Sequence, residues 1–531
     1  MLVQIITVLS ALGAAAAVSP KHSAGLPAFS YFLVFLGTQC LIVQVYRIFI
    51  WPFYVSPLRH LPTPENNTFF LGQLVNQTRR PSPNTEFLSW MRRWPDASFI
   101  RYLTFANSEV LLVNSLSAHR QVVQTKCYSF EKPIWFKRLL GEITGNGLLF
   151  SVGDAHKAQK RQLSGPFSPS NIRQLYPVFR EKSAELISYL EASVSGSPSG
   201  DFCVLDMDSL FIKTALDVIG VAALGVDLNN MSSQGSSLNF FDNYHYLFHQ
   251  PELGSLVTLL NAFVPLRWMP LEVNRKFRRA VADIRNMLQE LVRERFKSGK
   301  RAGAGESGKD ILTFMLQAMD SGDAKWTEEE LVDHLLQFVT AGHETAATSL
   351  VLIMGTLAAE PQCQARLREE IWKAMAQTSE LDAHALDALP YLNNVIREVL
   401  RVSSPALMVP SEAQNDVEID GVLIPKGTAL MIAPQVIQHN PLIWGPDAAE
   451  FKPERWEHLS ETAAIPYAFE AFHNGPRSCL GKGLAMLQIK TLMADMLTRF
   501  SFEPVDRMGV FENPSFTLRP KGGLRIKVKR L

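Results

Sequence analysis

The chain has 531 residues, enough for one large or two ordinary domains with a deep core. Its 52 lysines and arginines against 51 aspartates and glutamates give no electrostatic case for nucleic acid or for a polyanionic substrate. The five cysteines, Cys40, Cys127, Cys203, Cys363 and Cys479, are odd in number, dispersed and without a CxxC pair. That argues against a disulfide framework or a zinc site and places the body in a reducing compartment.

At the N-terminus, Leu2 to Val18 is nearly continuous apolar sequence, and a second run extends from Ala28 to Trp51. At about 1.5 Å of rise per helical residue, the second run is long enough to span a membrane. Gln39, Gln44 and Arg47 interrupt it, the arginine near its end, where it can snorkel. The first run reads either as a second span or as a cleaved signal peptide, although it lacks a basic leading region. Arg47, Arg59, Arg79 and Arg80 lie at or beyond the second run, and only Lys21 is basic between the two, so the positive-inside bias places the body in the cytosol. On that orientation the sequons at Asn66, Asn76 and Asn230 stay unmodified. The stretch HLPTPENNTFFLG, with two prolines before an apolar turn, reads as a stiff connection. Residues 1–55 are thus expected to form an anchor, 56–83 a linker and 84–531 the body.

Helical patterning dominates the body, which predicts a mainly α fold with a minor β portion. Glu329 to Ala358 is the longest predicted helix, with Thr327 and Glu330 forming a capping box, and its middle is apolar almost all round, as a core helix should be. A second strong helix is predicted from Tyr391 to Val402, after Pro390 at a first turn. VEIDGVLIPKGTALMIAP, from Val417 to Pro434, alternates and breaks at Asp420-Gly421 and Lys426-Gly427, giving short strands joined by tight turns. The tail FTLRPKGGLRIKV reads as another hairpin, and Gly303 to Lys309 as a flexible loop. That loop belongs to GAGESGKD, which falls short of a phosphate-binding loop: Asp310 stands where magnesium needs Ser or Thr, and no strand precedes it.

Four stretches carry candidate chemistry. Within the longest helix lies Ala341-Gly342-His343-Glu344-Thr345. A mid-helix glycine costs roughly 1 kcal/mol against alanine, and the Thr345 hydroxyl can compete for a backbone carbonyl. Together they can open a small polar groove, with Glu344 supplying an exchangeable proton; a solvent-facing stripe of Glu344 and His343 is the alternative. Glu398 and Arg401 are one turn apart on the next helix, and Arg455 sits in FKPERW, so the three form either a network or a solvated surface cluster. In FHNGPRSCLG, Phe472, Gly475, Arg477, Cys479 and Gly481 fall at fixed offsets. The glycines permit close backbone approach, the arginine can neutralise an anion and the aromatic can cover the sulfur. The loop suits a large flat cofactor with a metal to ligate and carboxylates to anchor; a buried structural cysteine is the other reading. There is no HExxH or GxSxG, and His343-Glu344 lacks the second histidine of a zincin helix.

The order AGHET, ExxR, FxPERW and FxxGxRxCxG resembles the cytochrome P450 family, over the whole chain, and in texture its microsomal fungal members. The resemblance implies the P450 fold behind an endoplasmic reticulum anchor, with the catalytic domain facing the cytosol and haem b as cofactor. It implies Cys479 as axial thiolate ligand of the iron, Arg477 on a propionate and Phe472 shielding the sulfur within the Gly475–Gly481 loop. It further implies Glu398, Arg401 and Arg455 as a structural charge network, and Ala341 and Gly342 lining a distal groove where Glu344 and Thr345 relay protons. His156 to Arg161 (HKAQKR) resembles the helix whose basic residue meets a propionate, with Lys160 where arginine is usual and His156 one turn before it. Where the family tends to carry a basic residue near Pro410 this chain has Ser411, and Ala346 replaces a common second hydroxyl. Substrate contacts are implied at about 130–150, 240–264, 338–341, 403–409 and 510–516; Leu407, Met408, Val409 and most of Leu256 to Met269 are apolar. The implied activity is insertion of one oxygen atom of O2 into a lipophilic small molecule, a fungal terpenoid or polyketide, with NADPH electrons from a cytochrome P450 reductase. The alternatives are an isomerase or dehydratase that does not use O2, a fatty-acid or xenobiotic hydroxylase, and a non-catalytic haem carrier or sensor.

Overall fold

A computed structural model of the chain describes residues 13, 28–79, 82–198, 200–231, 240–248, 250–299, 310–378, 381–506, 511–512 and 517–531. Helix α1 (Ala28–Val45) continues into a wider π-helical stretch, Tyr46–Val55. Phe32–Val55 is long and apolar enough to cross a membrane, and its most apolar window is wholly unburied, as an anchor requires. Apart from Gly13, the first apolar run lies outside the described residues. This helical segment is tied to the body at its C-terminal end. Arg101 donates to the Pro52 carbonyl and, at 2.6 Å, to Glu109, while Asn107 donates to the Ile48 carbonyl at 3.1 Å. Leu58 packs in one cluster with Phe99 and Leu111, so the segment after the apolar helix lies against the sheet.

In chain order the elements that frame the site begin with strands β1 (Phe99–Leu103), β2 (Glu109–Val113) and β3 (Phe130–Glu131). Helices α2 (Gly153–Ser164) and α3 (Tyr176–Ser195), strand β4 (Phe202–Asp206) and helix α4 (Met207–Ile219) follow. Then come α5 (Glu252–Asn261), α6 (Glu272–Gly299), α7 (Glu328–Ala359) and α8 (Pro390–Val402). The chain continues through β5 (Val409–Ala413), β6 (Val417–Ile419), β7 (Val422–Ile424) and β8 (Ala429–Ile432). Helix α9 (Lys482–Arg499) and strands β9 (Phe500–Pro504), β10 (Phe511–Glu512), β11 (Arg519–Pro520) and β12 (Arg525–Arg530) complete it. The fold is mainly α with a minor β portion, as the patterning predicts.

Helix α7 starts on the predicted capping box: Thr327 Oγ1 accepts from Glu330 N at 3.2 Å, and Glu330 accepts from Thr327 N at 2.8 Å. Its Leu331, Leu335, Leu350, Val351, Ile353 and Met354 are at most 0% exposed, which makes α7 the axis of the main core, against α4, α6, α8 and α9. Transferring such side chains out of water stabilises the fold by roughly 1.5–3 kcal/mol each.

The sheets bear out the short strands and tight turns expected over 417–434 and correct the expected C-terminal hairpin. Asp420 (φ 50°) and Gly421 (φ 76°) do make the tight turn joining β6 to β7. After Gly427, however, β8 does not pair back on β7; it joins a five-stranded sheet of order β1-β2-β8-β5-β3, parallel to β2 and antiparallel to β5. The C-terminal tail is no hairpin either. β11 pairs with β10, whereas β12 pairs with β4 and β9, because Gly522 and Gly523, both at positive φ, carry the chain from one sheet to another. The 303–309 loop lies outside the described residues. Asp310 after it caps the helix Ile311–Asp320, accepting from Thr313 N at 2.8 Å, a structural use unrelated to phosphate. Asn230 is buried and donates to Asp217 at 2.6 Å, so this sequon serves the core.

Candidate active site

The cysteine loop enters α9. Its Gly475 has φ 71°, and a Cβ there would lie 2.1 Å from the Val123 carbonyl oxygen, so only glycine fits beneath that backbone. Cys479 N donates to Phe472 O at 2.8 Å, which closes the loop between the aromatic residue and the cysteine. Gly481 is the N-cap of α9, and the space a Cβ would occupy there holds no protein atom. Cys479 is exposed to solvent-sized space, yet burial raises its thiol above the ordinary value. Both hold for a side chain facing an interior cavity. Backbone donors at Gly481 and Lys482 and the charges of Lys160 and Lys482 work against that rise. The N-terminus of α9 adds a favourable dipole, so these groups would help a metal cation at the sulfur to displace the thiol proton.

Cations ring this loop. On α2, His156 and Lys160 are four residues apart and share a face. Lys160 Nζ donates to the Ser478 carbonyl at 2.5 Å and to its hydroxyl at 3.3 Å. His156 lies 3.2 Å from the Tyr128 hydroxyl; burial first, then Arg477 and Lys160, lower its pKa to about 4, so it is neutral at physiological pH. Arg477 donates to the Ser151 carbonyl at 3.2 Å, and desolvation lowers its pKa. Among the described residues, neither Lys160 nor Arg477 forms an ion pair. Cations withdrawn from solvent without carboxylate partners, beside a cavity-facing thiol, fit a cofactor that brings its own carboxylates and a thiophilic metal.

Behind the loop, Glu398 and Arg401 are both fully buried, which overturns the surface-cluster reading: the α8 face that carries them packs inward. Arg401 donates through Nε and Nη2 to the two Glu398 oxygens, each at 2.8 Å, and its remaining hydrogens go to the carbonyls of Gln438, Ala448 and Glu450. Glu398 also accepts from Lys452 N at 3.0 Å, Arg455 Nε at 3.2 Å and Trp456 Nε1 at 3.0 Å. Arg455 in turn holds Asp447 at 2.8 Å, and with Lys452 keeps that carboxyl well below the usual carboxylate range. The three predicted members of the network are therefore brought together. Asp447 and Trp456 are members that the sequence pattern missed.

The network continues toward the cysteine. Gln438 Nε2 donates to the Arg401 carbonyl at 2.9 Å, and its Oε1 accepts from Glu470 N at 2.8 Å. The Glu470 carboxylate, fully buried, lies 2.9 Å from His119 Nε2 and 2.5 Å from both His473 Nδ1 and Asn474 Nδ2. Burial pushes Glu470 up, but His119 and His473 outweigh it and hold its pKa at about 2. A glutamate two residues before Phe472 was the only sequence signal for this hub.

On α7, Thr345 Oγ1 donates to the Ala341 carbonyl at 2.6 Å, the expected competition for the backbone. Ala341 is exposed and Gly342 and Thr345 are half-exposed, whereas His343 and Glu344 are buried, which excludes the solvent-facing stripe. Glu344 accepts from Thr517 Oγ1 at 3.1 Å and lies 3.7 Å from Arg519, which is also 3.7 Å from Asp208. Gly342 also makes room for a neighbouring helix. A Cβ there would lie 2.7 Å from Ile219 Cδ1, so the glycine admits the end of α4 against α7. Of the expected substrate-contact segments, 249, 510 and 513–516 lie outside the described residues.

A family model described as cytochrome P450 matches residues 62–527. The cytochrome P450 monooxygenase sphH of Aspergillus fumigatus is 31% identical over 513 residues, covering 93% of this chain and 92% of that protein. The cytochrome P450 monooxygenase FUM15 of Gibberella moniliformis is 31% identical over 547 residues, 91% of this chain and 90% of that protein. The cytochrome P450 monooxygenase buaD of Petromyces alliaceus is 29% identical over 556 residues, spanning 100% of this chain and 99% of that protein.

Proposed function

The chain belongs to the cytochrome P450 family and is a haem-thiolate monooxygenase; from that premise we propose that it oxidises a lipophilic fungal secondary metabolite, a terpenoid or polyketide, at the endoplasmic reticulum membrane. Electrons would come from NADPH through a cytochrome P450 reductase docking on the Cys479 side. The observation that carries the assignment of roles is the cysteine loop. Cys479 is accessible yet ringed by protein, beneath backbone donors and beside Lys160 and Arg477, neither of which forms an ion pair among the described residues. In this reading residues 1–55 anchor the chain, 56–83 link it and 84–531 form the haem-binding catalytic domain, facing the cytosol.

Haem b, when bound, supplies the iron chemistry that splits dioxygen. The protein's part is placement and proton supply. Cys479 ligates the metal, Phe472 covers its sulfur, and Gly475 and Gly481 keep the loop close and unobstructed. Arg477 and Lys160, with His156 beside them, hold the carboxylate edge. Ala341 and Gly342 line the distal side. The Thr345 hydroxyl, now donated to Ala341 O, can turn to pass a proton, and Glu344 can resupply it. Glu398, Arg401 and Arg455 keep the loop in register behind the cofactor.

The lipophilic substrate is supported by aromatic meeting points within and between the expected contact segments. Trp135 stacks on Phe263 with centroids 6.1 Å apart, and Phe136 meets Phe150 edge-on at 6.3 Å. Leu256, Leu259, Phe263 and Trp268 are each more than half exposed, a surface suited to dipping into lipid. Expression in microsomes with a reductase, followed by untargeted product analysis over a panel of lipophilic substrates, tests the proposal. Product formed with stoichiometric NADPH and O2 supports it. Product formed without either favours the isomerase or dehydratase reading.

A further inference from the structure

The C-terminal tail meets α7 at a residue that the expected proton path does not include. Thr517 is buried and donates its hydroxyl to Glu344 Oε1 at 3.1 Å. Its backbone is pinned from the other side: Thr517 forms an antiparallel bridge with Ala406, and Leu518 N donates to Pro405 O at 3.2 Å. Pro405 and Ala406 belong to the 403–409 segment, which is expected to touch substrate. One side chain on a fixed backbone thus joins that segment to the acid of α7.

Glu344 needs such a hold. Adjacent residues of a helix point about 100° apart, so the buried Glu344 and the half-exposed Thr345 do not share a face. The charges around Glu344 compete for it. Arg519 lies 3.7 Å from both Glu344 and Asp208, and Tyr244, His245 and His343 line the same small cavity. A glutamate that closes fully on a guanidinium favours its ionised form and carries no proton to pass on. Thr517 and Arg519 address the same oxygen, Oε1, and with the hydroxyl bonded there the ion pair stays open at 3.7 Å.

We propose that Thr517 is a positioning residue for the proton supply: its hydroxyl holds the Glu344 carboxylate short of a closed pair with Arg519, where it can serve Thr345. The inference rests on the haem-thiolate reading and on Glu344 as the acid. It adds to them a residue of the tail, set in place by the segment expected to touch substrate.

The test uses the full-length haem protein and cumene hydroperoxide, a probe that needs neither reductase nor a known substrate. Where the leaving cumyl oxygen takes the bonding pair and a proton, the product is 2-phenyl-2-propanol. Where the O–O bond breaks into radicals, the cumyloxyl radical sheds methyl and gives acetophenone. The alcohol-to-ketone ratio in a single turnover therefore reads proton supply. Thr517→Val removes the hydroxyl at nearly constant volume and should lower the ratio about tenfold, less than the roughly hundredfold or more of a lost acid group. Thr517→Ser should restore it, and adding Thr517→Val to Glu344→Gln should lower it no further. Thr517→Ala, matched in size to Thr517→Ser, carries the same expectation should Thr517→Val fail to take up haem. In thermal melts the losses from Thr517→Val and Glu344→Gln should not add, as for two residues in contact. A Thr517→Val ratio within twofold of the unmodified chain, where Glu344→Gln lowers it, overturns the inference. Equal loss in Thr517→Ala and Thr517→Ser, or additive melting losses, does so too. An unchanged ratio in Glu344→Gln removes Glu344 from the proton path and the inference with it. Absence of a thiolate-type carbon monoxide spectrum in the unmodified chain instead overturns the haem-thiolate reading itself.

Discussion

Arg401 closes a two-pronged bond on Glu398 one helical turn away, and neither side chain reaches solvent. The pair is neutral only as a unit, and the glutamate's remaining lone pairs are taken by Lys452 N, Arg455 and Trp456 from the loop before the cysteine. It therefore works as a clasp between α8 and that loop.

Removing one partner of such a clasp leaves a buried charge unpaired, which costs about 3–5 kcal/mol. Arg401→Met should accordingly lower the melting temperature sharply and abolish haem incorporation, even though neither residue touches the cysteine. A variant with unchanged melting and full haem content would show that the clasp is ornamental.

Ile219 and Gly342 make a second, more local pairing. Gly342→Val should destabilise the protein by about 1–3 kcal/mol through overpacking. Ile219→Ala in the same chain should recover much of that loss in thermal unfolding. If the double variant is no more stable than Gly342→Val alone, the glycine serves something other than the α4–α7 contact.

Much of this site is legible along the chain, because ExxR, FxPERW and the cysteine loop each keep their residues within one turn or loop. What those spacings do not carry is burial. An i, i+3 pair reads the same on a wet face as on a dry one, and only the packing of α8 decides for Glu398 and Arg401. Contacts made by topology are less visible still. His119, Gln438 and Glu470 come from three distant segments, and Lys132 reaches the Pro410 carbonyl only once β3 is placed beside β5. The tail misled for a related reason: its two glycines signal a turn, but not that the chain leaves one sheet for another.

Acid should destabilise the protein before its carboxylates titrate. Burial lowers the pKa values of His156, His334 and His439 to about 4 in the fold, against 6.5 for the free side chain. Between those values the unfolded chain binds more protons than the native one, so stability falls as pH drops from about 6.5 toward 4. Glu470 acts in a lower window: its depressed pKa stabilises the fold above about 4.5, and that contribution is lost as pH falls toward 2. The melting temperature should thus decline already between pH 6.5 and 5, and His334→Leu should flatten the decline. A flat profile down to pH 4.5 would contradict this.

Thr345→Ala removes the hydroxyl now bonded to Ala341 O while leaving the cysteine side untouched. Haem content should be retained, while product per NADPH consumed falls roughly a hundredfold, as expected for loss of a proton-transfer group, with reduced oxygen species released instead. Full coupling in this variant would remove Thr345 from the proton path.

The most direct test is the carbon monoxide difference spectrum of the reduced full-length protein, compared with Cys479→Ala. The unmodified chain should show the absorption band of a thiolate-ligated haem, and the variant should lose it. A thiolate-type band persisting in Cys479→Ala would contradict the assignment of Cys479 as the iron's ligand.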